Sequence, residues 1–351
     1  MSGIFSKANI PLVHLTKGEL VLGQKEICIS VVITAYNRRR FLLKAVKSVL
    51  EQTDTNHICD IIVIKNFVDD TIDSQLLRNS VKVINAGSGG AGEYLLLGAR
   101  ASSGDLIAFL DDDDYFYPTK IERVIQCFKN DPKLTYYHNG VVRAFEDGRT
   151  ARNPLYSKKG KNIIHTYSCN DSKSVANIIN NNSLINISAV VIKRETLENS
   201  SIEINNITEA TDYFVFYTAL GYGGSIMIDE TLQSAYTLHH GQSKPEGGIG
   251  EFQKKMKALA RGQIITHLFG ISLSNDLQVK RSIEAHIAQW RFVETLQDGS
   301  AKDLLKSYID FLRASKSRKQ LYKIGFLFVL TVRLFSPSMA LNIFRGLQNL
   351  G

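Results

Sequence analysis

Four aspartates, Asp111 to Asp114, stand side by side in DLIAFLDDDDYFYP, where an apolar run stops. Adjacent carboxylates repel one another, and a site that excludes water raises that cost unless a cation offsets it. A hard divalent ion, Mn2+ or Mg2+, prefers oxygen ligands and commonly joins one or two carboxylates to phosphate oxygens. A solvated acidic loop favoured by the dipole of the next helix is the plainer account. Four acids at one strand end favour the metal over it.

The elements that must present this run follow from periodicity. ICISVVITAY (27–36) is β-branched and apolar, as in a strand buried on both faces, and FLLKAVKSVL (41–50) carries Leu42, Ala45, Val46, Val49 and Leu50 at helical spacing. DIIVIKNF, VKVINAG and DLIAFL repeat the strand signal between stretches that can be helical, which predicts a mostly parallel sheet. Thr119 and Glu122 read as a capping box opening a helix with Ile121, Val124, Ile125 and Phe128 on its apolar stripe. The acid run therefore falls in a strand-to-helix loop, where open parallel sheets bind ligands. LTYYHNGVVRAF and NISAVVIK are strand-like, and from 251 onward the pattern is helical.

Length and a 44% hydrophobic composition allow a large buried core. Cys28, Cys59, Cys127 and Cys169 show no metal spacing and read as reduced core thiols, which favours a cytoplasmic setting; the opening residues show no secretory leader. Of the net charge of +8, residues 301–351 supply +7, with nine Lys/Arg against Asp303 and Asp310. Such a distribution argues against a nucleic-acid-binding surface and for a local patch facing an anionic partner. The apolar segment 321–347 is interrupted by Arg333 and Pro337, too early for a span of about 20 residues. It reads as a monotopic segment in peripheral contact with an anionic membrane, or as a helix pair packed on the rest of the chain.

Three successive stretches, ISVVITAYNRRRFLLKAVKSVLEQT, GDLIAFLDDDDYFYPTKIERV and EATDYFVFYTALGYG with YTLHHGQS, resemble the ordered motifs of inverting family 2 glycosyltransferases across roughly residues 28–245. The resemblance implies an α/β GT-A fold, a Rossmann-like mixed, mostly parallel sheet, with an N-terminal extension (1–26), a catalytic domain (27–250) and a helical C-terminal extension (251–351). It implies a metal-dependent enzyme that moves a sugar from a nucleotide-diphosphate donor to a hydroxyl acceptor; the thiols and the basic, apolar tail suit a glycan or polyprenyl-linked carrier at the cytoplasmic face of the membrane. Asp113 then ligates the metal, with Asp114 supporting it. Asp111 contacts ribose or the metal's water shell, and Asp112 takes the variable position of the motif. Thr34, Ala35, Tyr36, Asn37 and Arg38 line the nucleotide, with Arg38 and Arg39 near its phosphates. Asp212 matches the catalytic base, with Glu209 the neighbour most easily mistaken for it and a helix N-cap its structural alternative. His239 matches the histidine that closes over the diphosphate or metal, with His240 adjacent.

The sequence departs from the family in two places. An Asp-Asp-Gly-Ser turn is replaced by IKNFVDD, with Lys65 and Asn66 at those positions and Asp69 and Asp70 as substitutes. Leu95 and Leu96 stand where the family has Arg and Asn, leaving Arg100 as a substitute. A rival reading is an NAD(P)-dependent Rossmann oxidoreductase using the G-x-G-x-x-G of Gly87, Gly89 and Gly92 with Asp111 as its ribose acid. It gives four aspartates one job and Asp212 and His239 none. A noncatalytic sugar-nucleotide scaffold is the other alternative, and Asp212 argues against it.

Overall fold

The computed structural model describes residues 26–87, 89–152, 163–181, 183–184, 186–198, 207–239 and 248–314 and, in the tail, 327, 329–333, 336 and 339–344. Strands and helices alternate through the first part: β1 (Ile29–Ala35), α1 (Leu42–Leu50), β2 (Ile58–Lys65), α2 (Asp70–Arg78), β3 (Lys82–Asn85), α3 (Ala91–Ala101), β4 (Leu106–Asp111), β5 (Tyr115–Phe116) and α4 (Lys120–Asn130). There follow β6 (Leu134–Phe145), β7 (Thr150–Arg152), β8 (Ile164–Ser168), α5 (Ser172–Asn180), a 3-10 turn (Ile187–Ala189), β9 (Val190–Lys193), α6 (Arg194–Glu198), α7 (Thr211–Tyr222) and β10 (Ser225–Leu238). Three helices follow: α8 (Ile249–Leu273), α9 (Leu277–Asp298) and α10 (Ala301–Ala314).

Among the described residues the strands form one mixed, mostly parallel sheet in the order β3-β2-β1-β4-β9-β6-β10-β5, with β7 on β6 and β8 on β10. β1 pairs in parallel with both β2 and β4, and β9 runs antiparallel between β4 and β6. Alternate residues of the central strands face two cores. Val32, Ile62, Ile64, Ile107 and Phe109 pack with α3, α5 and α7, whereas Val31, Ile33, Val63, Ala108 and Leu110 pack with α1, α2 and α4. Coverage on both sides is why these strands are apolar without alternation. The parallel strands β1 and β4 end at the same edge, and the acid run leaves from there.

The sheet order removes the dinucleotide fingerprint. Gly87, Gly89 and Gly92 follow β3, the edge strand, and Asp111 ends β4, with β2 and β1 between them. The expected capping box at Thr119 and Glu122 does not form: Thr119 Oγ1 donates to Gln233 Oε1, and Glu122 accepts from Thr53 Oγ1. The reading of four reduced cysteines is corrected as well. Cys28 and Cys59 are disulfide-bonded with Cα atoms 5.8 Å apart, because the parallel register Ile29↔Ile58 brings the strand starts together. Cys127 and Cys169 are free and buried. The redox support for a cytoplasmic setting falls with that bond.

In the C-terminal helices Phe252, Phe292, Tyr308 and Phe311 form a core that Val329, Leu330 and Phe344 of the tail join. This much of the apolar tail is packed on protein, and the basic stretch 315–326 lies outside the described residues. Among the described residues no helix is long and apolar enough to cross a membrane.

Candidate active site

The acid run is folded into a turn at the end of β4. Asp112 N–H donates to Thr34 O at 3.1 Å and Asp114 N–H to Asp111 O at 3.1 Å, so the chain reverses and three of the four acids point inward and are buried. Each has its own partners. Asp111 accepts from Thr34 Oγ1 at 3.0 Å. Asp112 receives two N–H groups of Arg38, at 2.5 and 3.3 Å. Asp113 Oδ2 lies 2.6 Å from Arg38 Nη1 and 3.0 Å from His239 Nε2. Asp114 accepts from Ser188 Oγ (2.6 Å), Asn186 Nδ2 (3.1 Å) and Thr237 N–H (3.0 Å).

The electrostatics match that crowding. Burial, then the charge of Asp113, pushes Asp111 up to about 7. Burial likewise raises Asp112 to about 7 against the pull of Arg38, and Asp114 is pushed well above the usual carboxylate range by burial and its acidic neighbours. Burial disfavours the charge on Arg38, but Asp113 and Asp112 outweigh it and hold the guanidinium above its ordinary value. Behind the loop, Lys120 is fully buried, donating to Ser188 O (2.6 Å) and Ser234 Oγ (3.1 Å) and lying 3.8 Å from the centre of the Phe116 ring. Burial pulls its pKa well below normal while Asp114 resists.

One carboxylate oxygen from each of Asp111, Asp113 and Asp114 can be chosen so that all lie within 4.8 Å of one another. This all-oxygen set fits a hard divalent cation and suits neither a soft-metal nor a haem site. His239 stands against the set through Asp113 and is packed on Phe41, ring centres 4.5 Å apart.

Asp212 sits in the first turn of α7, preceded by Ala210 in the left-handed region at φ 56°. Its Oδ1 accepts Tyr213 N–H at 2.8 Å and its Oδ2 accepts Asn186 N–H at 3.1 Å. Burial lifts its pKa to about 6 despite these N–H groups, which favour the charged form. Glu209 is raised to about 7 by burial and then by the charge of Asp212. Helix α8 presses on this turn. Thr266 Oγ1 donates to Glu209 O at 2.6 Å, and a Cβ at Gly262 would stand 2.5 Å from Glu209 Cγ, so only glycine allows the approach.

Asn186 joins the two acid sites. Its backbone serves Asp212, its side-chain amide serves Asp114, and its Oδ1 accepts Ser188 N–H at 2.7 Å, from a backbone at φ 89°. Asparagine tolerates positive φ better than other non-glycine residues. Asn186, Ser188 and Lys120 are absent from the residues expected on sequence grounds. The one available signal is the Asn-rich stretch NNNSLINIS, whose composition favours left-handed turns.

The remaining expected residues divide. Ala35 is buried at the end of β1, Tyr36 is half exposed with its ring 6.0 Å from that of Tyr94, and Asn37 takes φ 55°. Asn37 N–H donates to Asn66 Oδ1 (2.8 Å) and Asn66 Nδ2 returns to Asn37 Oδ1 (3.1 Å). Lys65 is buried against Asp73 and Asn85, Asp69 caps α2, and Arg39 pairs with Asp69 at 3.4 Å. Arg100 is not brought to the site: it is exposed in the last turn of α3, beside the starts of the strands, because the helix runs back from the edge where Asp111 lies. His240 lies outside the described residues.

A mixed, mostly parallel sheet that delivers an acid run from a strand end, with a helix-borne carboxylate across from it, is the GT-A arrangement. Residues 30–190 match the family described as Glycosyl transferase family 2. It is similar to an uncharacterized glycosyltransferase of Haemophilus influenzae, 32% identical over 125 residues, 35% of this chain and 42% of that protein. An uncharacterized glycosyltransferase of Nostoc is 34% identical over 116 residues, 32% of this chain and 36% of its own length. The chain thus spans less than half of each of these relatives. Among solved structures it is similar to residues 1–349 of TarS from S. aureus in complex with UDP-GlcNAc, at 14% identity and a TM-score of 0.49 over 84% of this chain and 93% of that one.

Proposed function

We propose that the protein is an inverting glycosyltransferase that uses a divalent cation and a nucleotide-diphosphate sugar, with Asp212 as its catalytic base. The observation that carries this is the double hold of Asn186 on Asp114 and Asp212, which fixes the acid run and the helix-head carboxylate in one site. Asp111, Asp113 and Asp114 would hold Mn2+ or Mg2+, which supplies charge stabilisation for the departing diphosphate. Asp212 takes the proton of the acceptor hydroxyl as its oxygen bonds to the anomeric carbon, and the bond from that carbon to the diphosphate oxygen breaks. A carboxylate raised to about 6 is ionised at neutral pH yet basic enough to accept that proton.

The base of the donor is open to a nucleotide panel, since Lys65 and Asn66 replace the family's acidic turn and the UDP-GlcNAc complex belongs to TarS. Asp212→Asn should keep the Mn2+-dependent thermal shift given by the matching nucleoside diphosphate and lose roughly 10^2- to 10^4-fold in transfer. Full transfer by this variant would remove Asp212 from the role.

For the acceptor we propose a hydroxyl on a glycan or a polyprenyl-linked carrier, met at an anionic membrane surface. Its support is the +7 charge of residues 301–351 and the exposed Leu305 and Ile309 beside Lys302 and Lys306 on α10. Removing residues 315–351 should release the protein from anionic liposomes in sedimentation; absence of binding by the full chain would retire the membrane contact.

A further inference from the structure

We propose that Arg38 is a resident counter-cation of the aspartate loop, which must give up Asp113 before a divalent ion is held there, so that metal and diphosphate bind as a linked pair. This rests on the reading of the loop as a metal-diphosphate site.

Three observations carry it. Asp113 is one of the three acids that converge, yet its Oδ2 already has Arg38 Nη1 at 2.6 Å and His239 Nε2 at 3.0 Å. The other arm of the guanidinium is fixed on Asp112, at 2.5 and 3.3 Å, and Asp112 is fully buried and outside the converging set. Arg38 is therefore anchored by one acid and lent to its neighbour. A guanidinium stays charged at any relevant pH, so it cannot make way by losing a proton. It must move, because a divalent ion on either oxygen of Asp113 stands close to the guanidinium held at Oδ2, and the two cations repel.

A diphosphate offers Nη1 a replacement. Arginine binds phosphate oxygens as readily as carboxylates, through parallel N–H groups of fixed geometry. Arg38 can keep Asp112, turn Nη1 from Asp113 to a phosphate oxygen, and leave Asp113 free to ligate. Without a diphosphate the same displacement strands a positive group beside the ion. The expected result is weak binding of the metal alone and, by linkage, an equal factor by which metal and nucleotide strengthen one another.

The test is a titration of the full chain with Mn2+ alone, following free Mn2+ by electron paramagnetic resonance. Wild type is compared with Arg38→Gln and with the double variant Arg38→Gln/Asp112→Asn. The double variant removes the cation together with its buried partner, so it leaves no orphaned carboxylate and keeps the net charge of wild type. Both variants should bind Mn2+ about tenfold or more tightly than wild type without nucleotide. In parallel, UDP and GDP should tighten Mn2+ binding in wild type and do so by a smaller factor in the variants. Mn2+ affinity unchanged or weakened in the double variant would overturn the proposal, since Arg38 would then be a fixed clamp. Tighter Mn2+ in both variants with no effect of either nucleotide on any form would leave the displacement standing and count against the donor reading.

Discussion

Two groups of carboxylates, both raised by burial, face one site and are held by different partners. The Asp111–Asp114 loop is surrounded by cations and side-chain donors: Arg38 on Asp112 and Asp113, His239 on Asp113, and the buried Lys120 behind Ser188 and Asp114. Asp212 is held by backbone N–H groups of Tyr213 and Asn186, and what shifts it upward is burial. Burial raises both groups; the loop acids also repel one another and are partly offset by Arg38, whereas Asp212 is offset only by backbone N–H groups.

That contrast is broken most directly at Asp212. Its raised pKa means that the native protein holds a proton that the unfolded chain releases between the usual carboxylate range and about pH 6. The sign follows: the native state binds more protons in that window, so stability falls as pH rises through it, while the ionised form that the proposed base role requires grows. At saturating metal, kcat/KM should drop about tenfold per pH unit below roughly pH 6. A profile flat down to pH 4.5 would assign the proton to another group.

The join between the two groups is the next point of attack. Asn186→Gly keeps the left-handed backbone and removes the amide from Asp114, whereas Asn186→Ala removes the amide and strains the turn. We expect kcat to fall about tenfold in the glycine variant. The alanine variant should fall further and lose about 1–3 kcal/mol of stability in denaturant unfolding. Equal behaviour of the two would mean that backbone geometry at 186 does not set the position of Asp212.

How much of this was legible in the sequence follows the range of the interactions. Strands covered on both faces announce themselves by composition, and β6 occupies the same twelve residues that read as strand-like, Leu134–Phe145. Helix α7 did not announce itself, because Tyr213 through Ala219 are all buried and no polar face marks a period. The acid run was visible as a local cluster. Asn186, Ser188 and Lys120 were not, since each gains its role only when a turn about 70 residues away closes over the loop. The capping box failed for the same reason: Gln233 and Thr53, distant in sequence, took its two side chains. The Cys28–Cys59 bond depends on strand register, which no cysteine spacing reveals.

The smallest expected effect concerns what aims Asp212 without touching it. Thr266 and Gly262 lie on α8, outside the segment that matches the family, yet they bear on the turn that leads into α7. Thr266→Val removes the hydrogen bond to Glu209 O and costs about 1 kcal/mol of stability. If that bond only stabilises the fold, kcat and KM at a temperature well below unfolding should match wild type. If it aims Asp212, kcat should fall a few-fold with the KM for donor unchanged, because the proposed metal-diphosphate site belongs to the other acid group. Thr266→Ser, which restores the hydroxyl, should then recover the rate. A loss confined to KM would place the influence of α8 on the acid run instead, and the division of labour between the two carboxylate groups would have to be redrawn.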